Sequence, residues 1–454
     1  MQRNRRTTAR LCANPEDPGR ERDRVACDRA EGPRGDPVSL LLRDVQLGRE
    51  TTHIYVEGNR IEEIGAVREA DTVIEGKGKI ALPGLVNLHT HAAMTIFRGY
   101  ADDVPLRMWL ETKIWPAEAK LKPEDVYWGT KLACLEMIKT GTTTFSDMYF
   151  HMDQAAKAVK EMGLRGFLAE GFIDMNDPSV GREMLRRTEE INRRIESLRL
   201  ERIVPVLGPH AIYTVTEESL HAIEDLADRM GYLIHMHLSE TLNEVDECVA
   251  RHGVRPAQYL DGIGFLTRNV IAAHACWVEP AEIELLARAG VKVAHCPVSN
   301  MKLALGTMPY PALREAGIVI GLGTDGAASN NNLDMFESMK FAAILQKHAH
   351  RDPRVLPARE AFEMASLGGA RALGIDAGLL EVGRLADIIL IDPRRPEFLP
   401  QHDVLSNVVY AAHGNIVDTV VCDGQVLMKA RRVKGEAEIL EKAARVADDI
   451  STRA

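Results

Sequence analysis

From about Leu82 to Leu379 the sequence keeps one rhythm: a short apolar run, a turn, then an amphipathic stretch that often ends at glycine. FLAEGFID, IVPVLGPH, LIHMHLSE, VIAAHAC, VKVAHCP and IVIGLGTDG have the length and near-continuous hydrophobicity of strands buried on both faces. LACLEMIKTG, DQAAKAVKEMG, ESLHAIEDLADRMG, PAEIELLARAG and YPALREAG space their apolar residues for one helical face and close on the residue that best caps a helix C-terminus. Strands that alternate with helices run parallel, and the length of the stretch predicts an α/β fold, a (β/α)8 TIM barrel. An open doubly wound sheet satisfies the same pattern.

Outside this stretch the texture changes. Residues 38–80 hold LLLRDV, HIYVEGNRIEEIG and TVIEGKGKI, short apolar segments divided by turn signals, and residues 380–435 repeat that texture in LADIILIDP and DTVVCDGQVLM. These segments predict antiparallel strands, contributed by both chain ends to one small β-sandwich domain that flanks a catalytic barrel at 81–379, with a C-terminal helix over 436–454. Residues 1–37 stand apart, because nine Arg and seven acidic residues with almost nothing apolar predict a disordered extension. Val38, where the periodic pattern begins, would initiate the chain if its codon were GUG. The extension carries a surplus of two positive charges, so the formal net charge of −10 becomes −12 over the rest.

That negative balance argues against a general nucleic-acid or anionic-membrane binder, which needs clustered positive charge, and leaves room for a local basic patch. No apolar run approaches the roughly 18 residues of a membrane span, and the Arg-rich start has no apolar core of a secretory signal. Seven cysteines without a CxxC pair suit reduced thiols, so the sequence predicts a cytoplasmic protein.

In a parallel barrel the chemistry gathers where strands end and the following loops begin. Those points carry His89 and His91 in LVNLHTH, His210 in VLGPH, His235, His237 and Glu240 in IHMHLSE, His274 in IAAHA, His295 in VAHCP and Asp325 in GLGTDG. His89 and His91 stand two apart and so share one face of an extended strand. Alone, such a pair is also met as ordinary hydrogen-bonded histidines. With His237 and Asp325 it makes three imidazoles and a carboxylate with one position left open, a set that suits Zn(II) or Fe(II) better than calcium or magnesium. His235 and His237 form a second HxH pair, and spacing does not say which of them binds. Glu240, three residues past His237, is placed to reach water at a metal, although acids are common in the first turn of a following helix anyway. GLGTDG also matches the GxGxxG of a dinucleotide-binding turn. Without a clear βαβ unit after it or an acid about 20 positions on, Asp325 reads better as ligand and base.

These motifs resemble the amidohydrolase superfamily, in its branch of chlorohydrolases and nucleoside or base deaminases. From about Val38 to Val433 the order includes LPGLVNLHTHAAMTIFRGYADD, WPAEAKL, IKTGTTTFSDMY, LGPHAIYT, HMHLSET, AAHACW, VAHCPVSNMKL, GLGTDGAASNNNLDMFESMK and GLLEVGRLADIILID. It looks most like the family of 5'-deoxyadenosine and 5'-methylthioadenosine/S-adenosylhomocysteine deaminases. The resemblance implies that His89, His91, His237 and Asp325 hold one divalent metal per subunit, usually zinc, with Fe(II) as the alternative, and that His235 is a packed strand residue. It implies Glu240 as proton shuttle, His274 as partner of the water and, with Asp325, acceptor of its proton. It places Glu118 of WPAE on the ribose hydroxyls, His210 on the nucleoside and Trp109 in the pocket wall. A carboxylated lysine bridging two metals is not implied, since FLAEGFID contains no Lys. The implied reaction is hydrolytic deamination, in which water adds to C6 of adenine, N1 gains a proton through Glu240, and ammonia leaves an inosine-type product. Relatives are commonly homo-oligomers, and purine salvage or S-adenosylmethionine recycling is the natural setting.

Members that accept S-adenosylhomocysteine are expected to meet its amino-acid carboxylate with arginines after the strand that FLAEGF occupies. Here Glu170 stands near the first such position and Arg182 near the second, which favours 5'-deoxyadenosine, with methylthioadenosine, adenosine and S-adenosylhomocysteine as slower substrates. Two other readings use the same residues. A sibling hydrolase of guanine, cytosine or an s-triazine has no ribose diol for Glu118 to hold, and a non-catalytic scaffold has no need to fill every metal and proton-transfer position.

Overall fold

The computed structural model describes residues 38–453, so the disordered extension expected at 1–37 lies outside the described residues. The chain begins with β1 (Ser39–Leu47), β2 (Glu50–Glu57), β3 (Arg60–Ile64), β4 (Thr72–Glu75) and β5 (Ile80–Pro83). Eight strands follow: β6 (Leu85–Thr90), β7 (Thr142–Tyr149), β8 (Arg165–Phe172), β9 (Ile203–Pro209), β10 (Ile234–Leu238), β11 (Val270–His274), β12 (Lys292–His295) and β13 (Ile320–Leu322). They pair in parallel in chain order, which is the expected barrel. Val86, Leu88, Phe167, Ala169, Val206, Ile271, Ala273 and Ala294 pack together as its interior. Leu168, Leu207, Ile234 and Val270 belong instead to the cluster shared with the surrounding helices. Helices Met152–Met162 and Glu217–Met230 end at Gly163 and Gly231, whose φ of 82° and 70° close them in the left-handed conformation that glycine adopts without strain.

The seam between the last and first barrel strands closes just past β13, where Asp325 N–H donates to His89 O at 2.9 Å and Thr324 N–H to Asn87 Oδ1 at 3.0 Å. Gly323 permits this approach, since a Cβ there would stand 3.0 Å from the His89 backbone nitrogen and oxygen. Barrel closure therefore brings His89 and Asp325, far apart in sequence, to one point.

The remaining strands are β14 (Ile388–Ile391), β15 (Val417–Cys422), β16 (Gln425–Lys429) and β17 (Arg432–Val433). With β1 to β5 they form one mixed sheet of nine strands, in which β14 lies antiparallel to β5 and so joins the two chain ends. Pairing along β1 differs from the antiparallel pattern expected: its other edge takes β4 and then β5 in parallel. Helix Glu436–Arg453 follows, its last residue paired with Asp125 at 2.6 Å.

The sheet is tied to the barrel by a buried ion cluster. Arg165, at the start of β8, lies 3.3 Å from Asp387 and 3.0 Å from Asp423, with 5% and 1% of the Arg165 and Asp387 side chains exposed. Removing one partner leaves the other as an uncompensated buried charge. Asp387→Ala is therefore expected to lower the free energy of unfolding by about 3–5 kcal/mol, measured by denaturant titration. A loss below about 1 kcal/mol, the range of exposed pairs, would show that the cluster is solvated.

No helix among the described residues is long and apolar enough to cross a membrane.

Candidate active site

The strand ends of β6, β10 and β13 meet in a cluster of imidazoles around one carboxylate. Ligand atoms of His89, His91 and His237 lie within 4.8 Å of one another. Asp325 Oδ1 stands 3.4 Å from His89 Nε2 and 3.2 Å from His91 Nε2. In each ring Nδ1 is already engaged: His91 Nδ1 donates to Met148 O at 2.6 Å, His237 Nδ1 donates to His210 O at 2.8 Å, and His89 Nδ1 lies 2.8 Å from His235 Nε2. The Nε2 atoms are left to face one another, and that of His89 is buried with no hydrogen-bond partner. Imidazoles held this way, with outer partners on the far nitrogen, fit the ligands of a metal site.

Asp325 is held as firmly. Its Oδ2 accepts from Ser299 Oγ at 2.6 Å and Ser329 Oγ at 3.1 Å, and Oδ1 accepts Gly326 N–H at 2.8 Å. A second triad, His89, His274 and Cys296, also has ligand atoms within 4.8 Å. Cys296, though, is fully buried and no part of the wall of the cavity that His274 lines.

Glu240 and His274 adjoin this cluster, with Oε1 and Nε2 3.6 Å apart. His274 Nδ1 is bonded to Asn300 Oδ1 at 2.8 Å, which leaves Nε2 as an acceptor when Nδ1 carries the proton. Ser239 takes a left-handed turn, φ 48°, and the Glu244 carboxylate clamps it by accepting the N–H groups of Ser239 and Glu240, both at 2.8 Å. His274 and Asp325 are left-handed as well, at φ 72° and 64°. Such backbone costs a non-glycine residue about 1–3 kcal/mol and persists where surrounding bonds impose it, as they do here. Burial raises the Glu240 carboxyl above its ordinary value, with His274 opposing.

His91, His237, Glu240, His274 and Asp325 line one cavity, and His89 itself is fully buried. Trp109, Glu118 and His210 line the same cavity. Tyr149 Oη donates to Glu118 Oε1 at 2.7 Å. His210 Nδ1 is 2.9 Å from Thr214 Oγ1, and that hydroxyl donates to Ala211 O, so His210 Nδ1 is the donor and Nε2 an acceptor.

Arg182 and Glu170 do not join the others. The Arg182 side chain is 66% exposed, paired with Glu218 at 3.0 Å, and no part of the cavity wall. On β8, Phe167 and Ala169 fill the interior, so alternation turns Glu170 toward the helices. There it accepts Met152 N–H at 2.9 Å and pairs with Arg187 at 3.0 Å. Arg182 as a substrate contact, and Glu170 as a charge opposing an amino-acid carboxylate, are corrected on that ground. His295 is buried and also absent from the cavity wall. The supporting roles of Tyr149, Thr214, Glu244, Ser299, Asn300 and Ser329 carry no signal in the sequence, since each depends on a partner that the fold or a local turn brings near.

The sequence profile of the amidohydrolase family matches residues 80–427. A 5'-deoxyadenosine deaminase of Methanoregula boonei is 49% identical over 428 residues, covering 92% of this chain and 97% of that one. A 5-methylthioadenosine/S-adenosylhomocysteine deaminase of Archaeoglobus fulgidus is 48% identical over 400 residues, 87% of this chain and 94% of its own. Among solved structures, an adenosine deaminase from Xanthomonas campestris with bound zinc superposes with a TM-score of 0.87 at 36% identity, over 92% of this chain and 99% of that one.

Proposed function

The chain belongs to the amidohydrolase family, whose members depend on metal, and from that premise we propose that it hydrolytically deaminates the adenine ring of 5'-modified adenosines. 5'-Deoxyadenosine is the preferred substrate, as the name of the Methanoregula relative supports, with 5'-methylthioadenosine, S-adenosylhomocysteine and adenosine as further ones. The observation that carries this reading is one cavity holding both the histidine–aspartate donor set and Glu118, a carboxylate apart from that set and free to take a sugar diol.

His89, His91, His237 and Asp325 would hold one divalent cation. Zinc suits the donor set, and the zinc in the Xanthomonas relative supports that choice over Fe(II). Bound there, the cation supplies Lewis acidity, which lowers the pKa of a coordinated water from 15.7 toward about 7. The chain's own groups do the rest. Glu118 accepts the ribose hydroxyls, with Tyr149 fixing its carboxylate, and His210 offers Nε2 to the nucleoside. Trp109 closes the apolar wall and excludes water. Asp325 and the acceptor Nε2 of His274 orient the attacking water and draw on its proton. Glu240, ionised at the start, takes up a proton and delivers it to N1 of adenine as C6 is attacked. Collapse to the C6 carbonyl then expels ammonia, the remaining O–H proton passing to the departing amine through Asp325 or His274. Cys134, Cys248, Cys276, Cys296 and Cys422 are buried and unpaired, which supports a reducing, cytoplasmic setting, and we keep a homo-oligomer as part of the proposal.

Glu118→Ala separates this from a hydrolase of free bases. Loss of charge-assisted hydrogen bonds worth about 1.5–3 kcal/mol is expected to raise KM for 5'-deoxyadenosine roughly 10- to 100-fold, with little change for its 2',3'-dideoxy analogue. Equal KM for wild type and variant on every nucleoside would favour the free-base reading.

A further inference from the structure

His235 alternates with Met236 on β10 and so faces the same side as His237, but deeper in the strand. Its ring is fully buried and engaged at both nitrogens: Nε2 lies 2.8 Å from His89 Nδ1, and Nδ1 lies 3.0 Å from Ser146 Oγ. His89 is thus the exception among the three clustered imidazoles. His91 and His237 each place Nδ1 against a backbone carbonyl, Met148 O and His210 O, which accepts only, so Nδ1 must carry the proton and Nε2 the lone pair. His89 has another imidazole in that place, and an imidazole nitrogen either donates or accepts. If His235 Nε2 carried the proton, His89 Nδ1 would have to accept it, and the His89 proton would sit on Nε2, where it would block a cation.

We infer that His235 is a positioning residue for His89, receiving the His89 Nδ1–H on its own Nε2 and passing its Nδ1–H to Ser146 Oγ. The Ser146 hydroxyl ends the chain as acceptor, and β7 holds it in place, for the Ser146 carbonyl takes the Thr90 hydroxyl at 2.9 Å. In this sense of bonding His89 Nε2, buried and without a hydrogen-bond partner, keeps its lone pair toward Asp325 Oδ1, 3.4 Å away. A carbonyl acceptor belongs to the backbone and survives any substitution, whereas the acceptor behind His89 is a side chain that one mutation removes.

The inference rests on His89 being a metal ligand, and two variants read it through zinc affinity. His235→Met fills the volume without an acceptor, and His235→Gln puts an amide oxygen near the former Nε2. Zinc dissociation constants from competition with a chelator, together with melting temperatures of the metal-free proteins, are the readouts. The Met variant is expected to bind zinc about 10- to 100-fold more weakly than wild type, the usual effect of losing a ligand's outer partner. The Gln variant is expected to stay within about tenfold. A ring that merely packs would make buried Gln the worse of the two in melting temperature and no better in affinity. Wild-type zinc affinity in His235→Met, or an affinity in His235→Gln as weak as in His235→Met, would overturn the relay alone. Should the Met variant fail to fold, a loss beyond about tenfold in the Gln variant overturns it and a smaller loss supports it. A wild-type protein that holds no zinc would overturn the metal site and the relay together.

Discussion

Glu240→Gln is expected to lower kcat for 5'-deoxyadenosine by about 10²–10⁴-fold, the range for a positioned proton donor or acceptor. KM and bound metal should stay near wild type. Gln keeps the shape and one acceptor oxygen but neither takes up nor releases the proton that N1 of adenine needs. The Glu244 clamp acts on the backbone of Ser239 and Glu240 and not on the Glu240 side chain, so the variant keeps the local turn. The pH dependence gives the sign independently. Burial moves the Glu240 carboxyl up from its ordinary 4.5, and in the proposed reaction the form that starts is the ionised one. Activity is therefore expected to fall as pH drops through the raised value, so the acid limb of kcat/KM lies above pH 4.5 and is absent from the residual rate of the Gln variant. A Gln variant within about threefold of wild type, far short of the range for general acid–base catalysis, would remove Glu240 from proton transfer.

Removing the metal is expected to cost more. A chelator-treated protein should release no ammonia above background, and about one equivalent of zinc per chain should restore the rate, because without the cation no group in the cavity acidifies water toward neutrality. His237→Ala removes one of the three clustered imidazoles and is expected to prevent that recovery at stoichiometric zinc. Full activity in protein that carries less than about half an equivalent of any transition metal would contradict the donor set, since each site needs its own cation.

Much of the barrel was legible because parallel strands are buried on both faces and announce themselves as apolar runs. The same property hid two things. TTTFSDMY forms β7, fully buried, yet it reads as polar. Its hydroxyls and carboxylate find partners such as His235 for Ser146 and Thr90 for Asp147, contributed by other strands and invisible to hydrophobic periodicity. Conversely, FLAEGF has apolar residues on both faces, so alternation does not mark which residues face inward. Glu170 is the result: its charge meets Met152 N–H and Arg187 and faces away from the pocket. Of the site, residues at strand ends were the legible part, because a histidine at the end of an apolar strand is out of place without a task. Glu118 and Trp109 sit on the helical segments after β6 and were found only through resemblance. The outer partners, Thr214, Asn300, Ser299 and Tyr149, act by proximity in the folded chain, and no spacing encodes that.

The central claim is that this cavity takes the adenine of a 5'-modified nucleoside. Ammonia release by zinc-replete protein, compared as kcat/KM across 5'-deoxyadenosine, 5'-methylthioadenosine, S-adenosylhomocysteine, adenosine, guanine, cytosine and an s-triazine, tests it directly. The expected result is the highest kcat/KM for 5'-deoxyadenosine, with the other adenosines next and the free bases and triazine at background. A higher kcat/KM for guanine, cytosine or the triazine than for every nucleoside would contradict it.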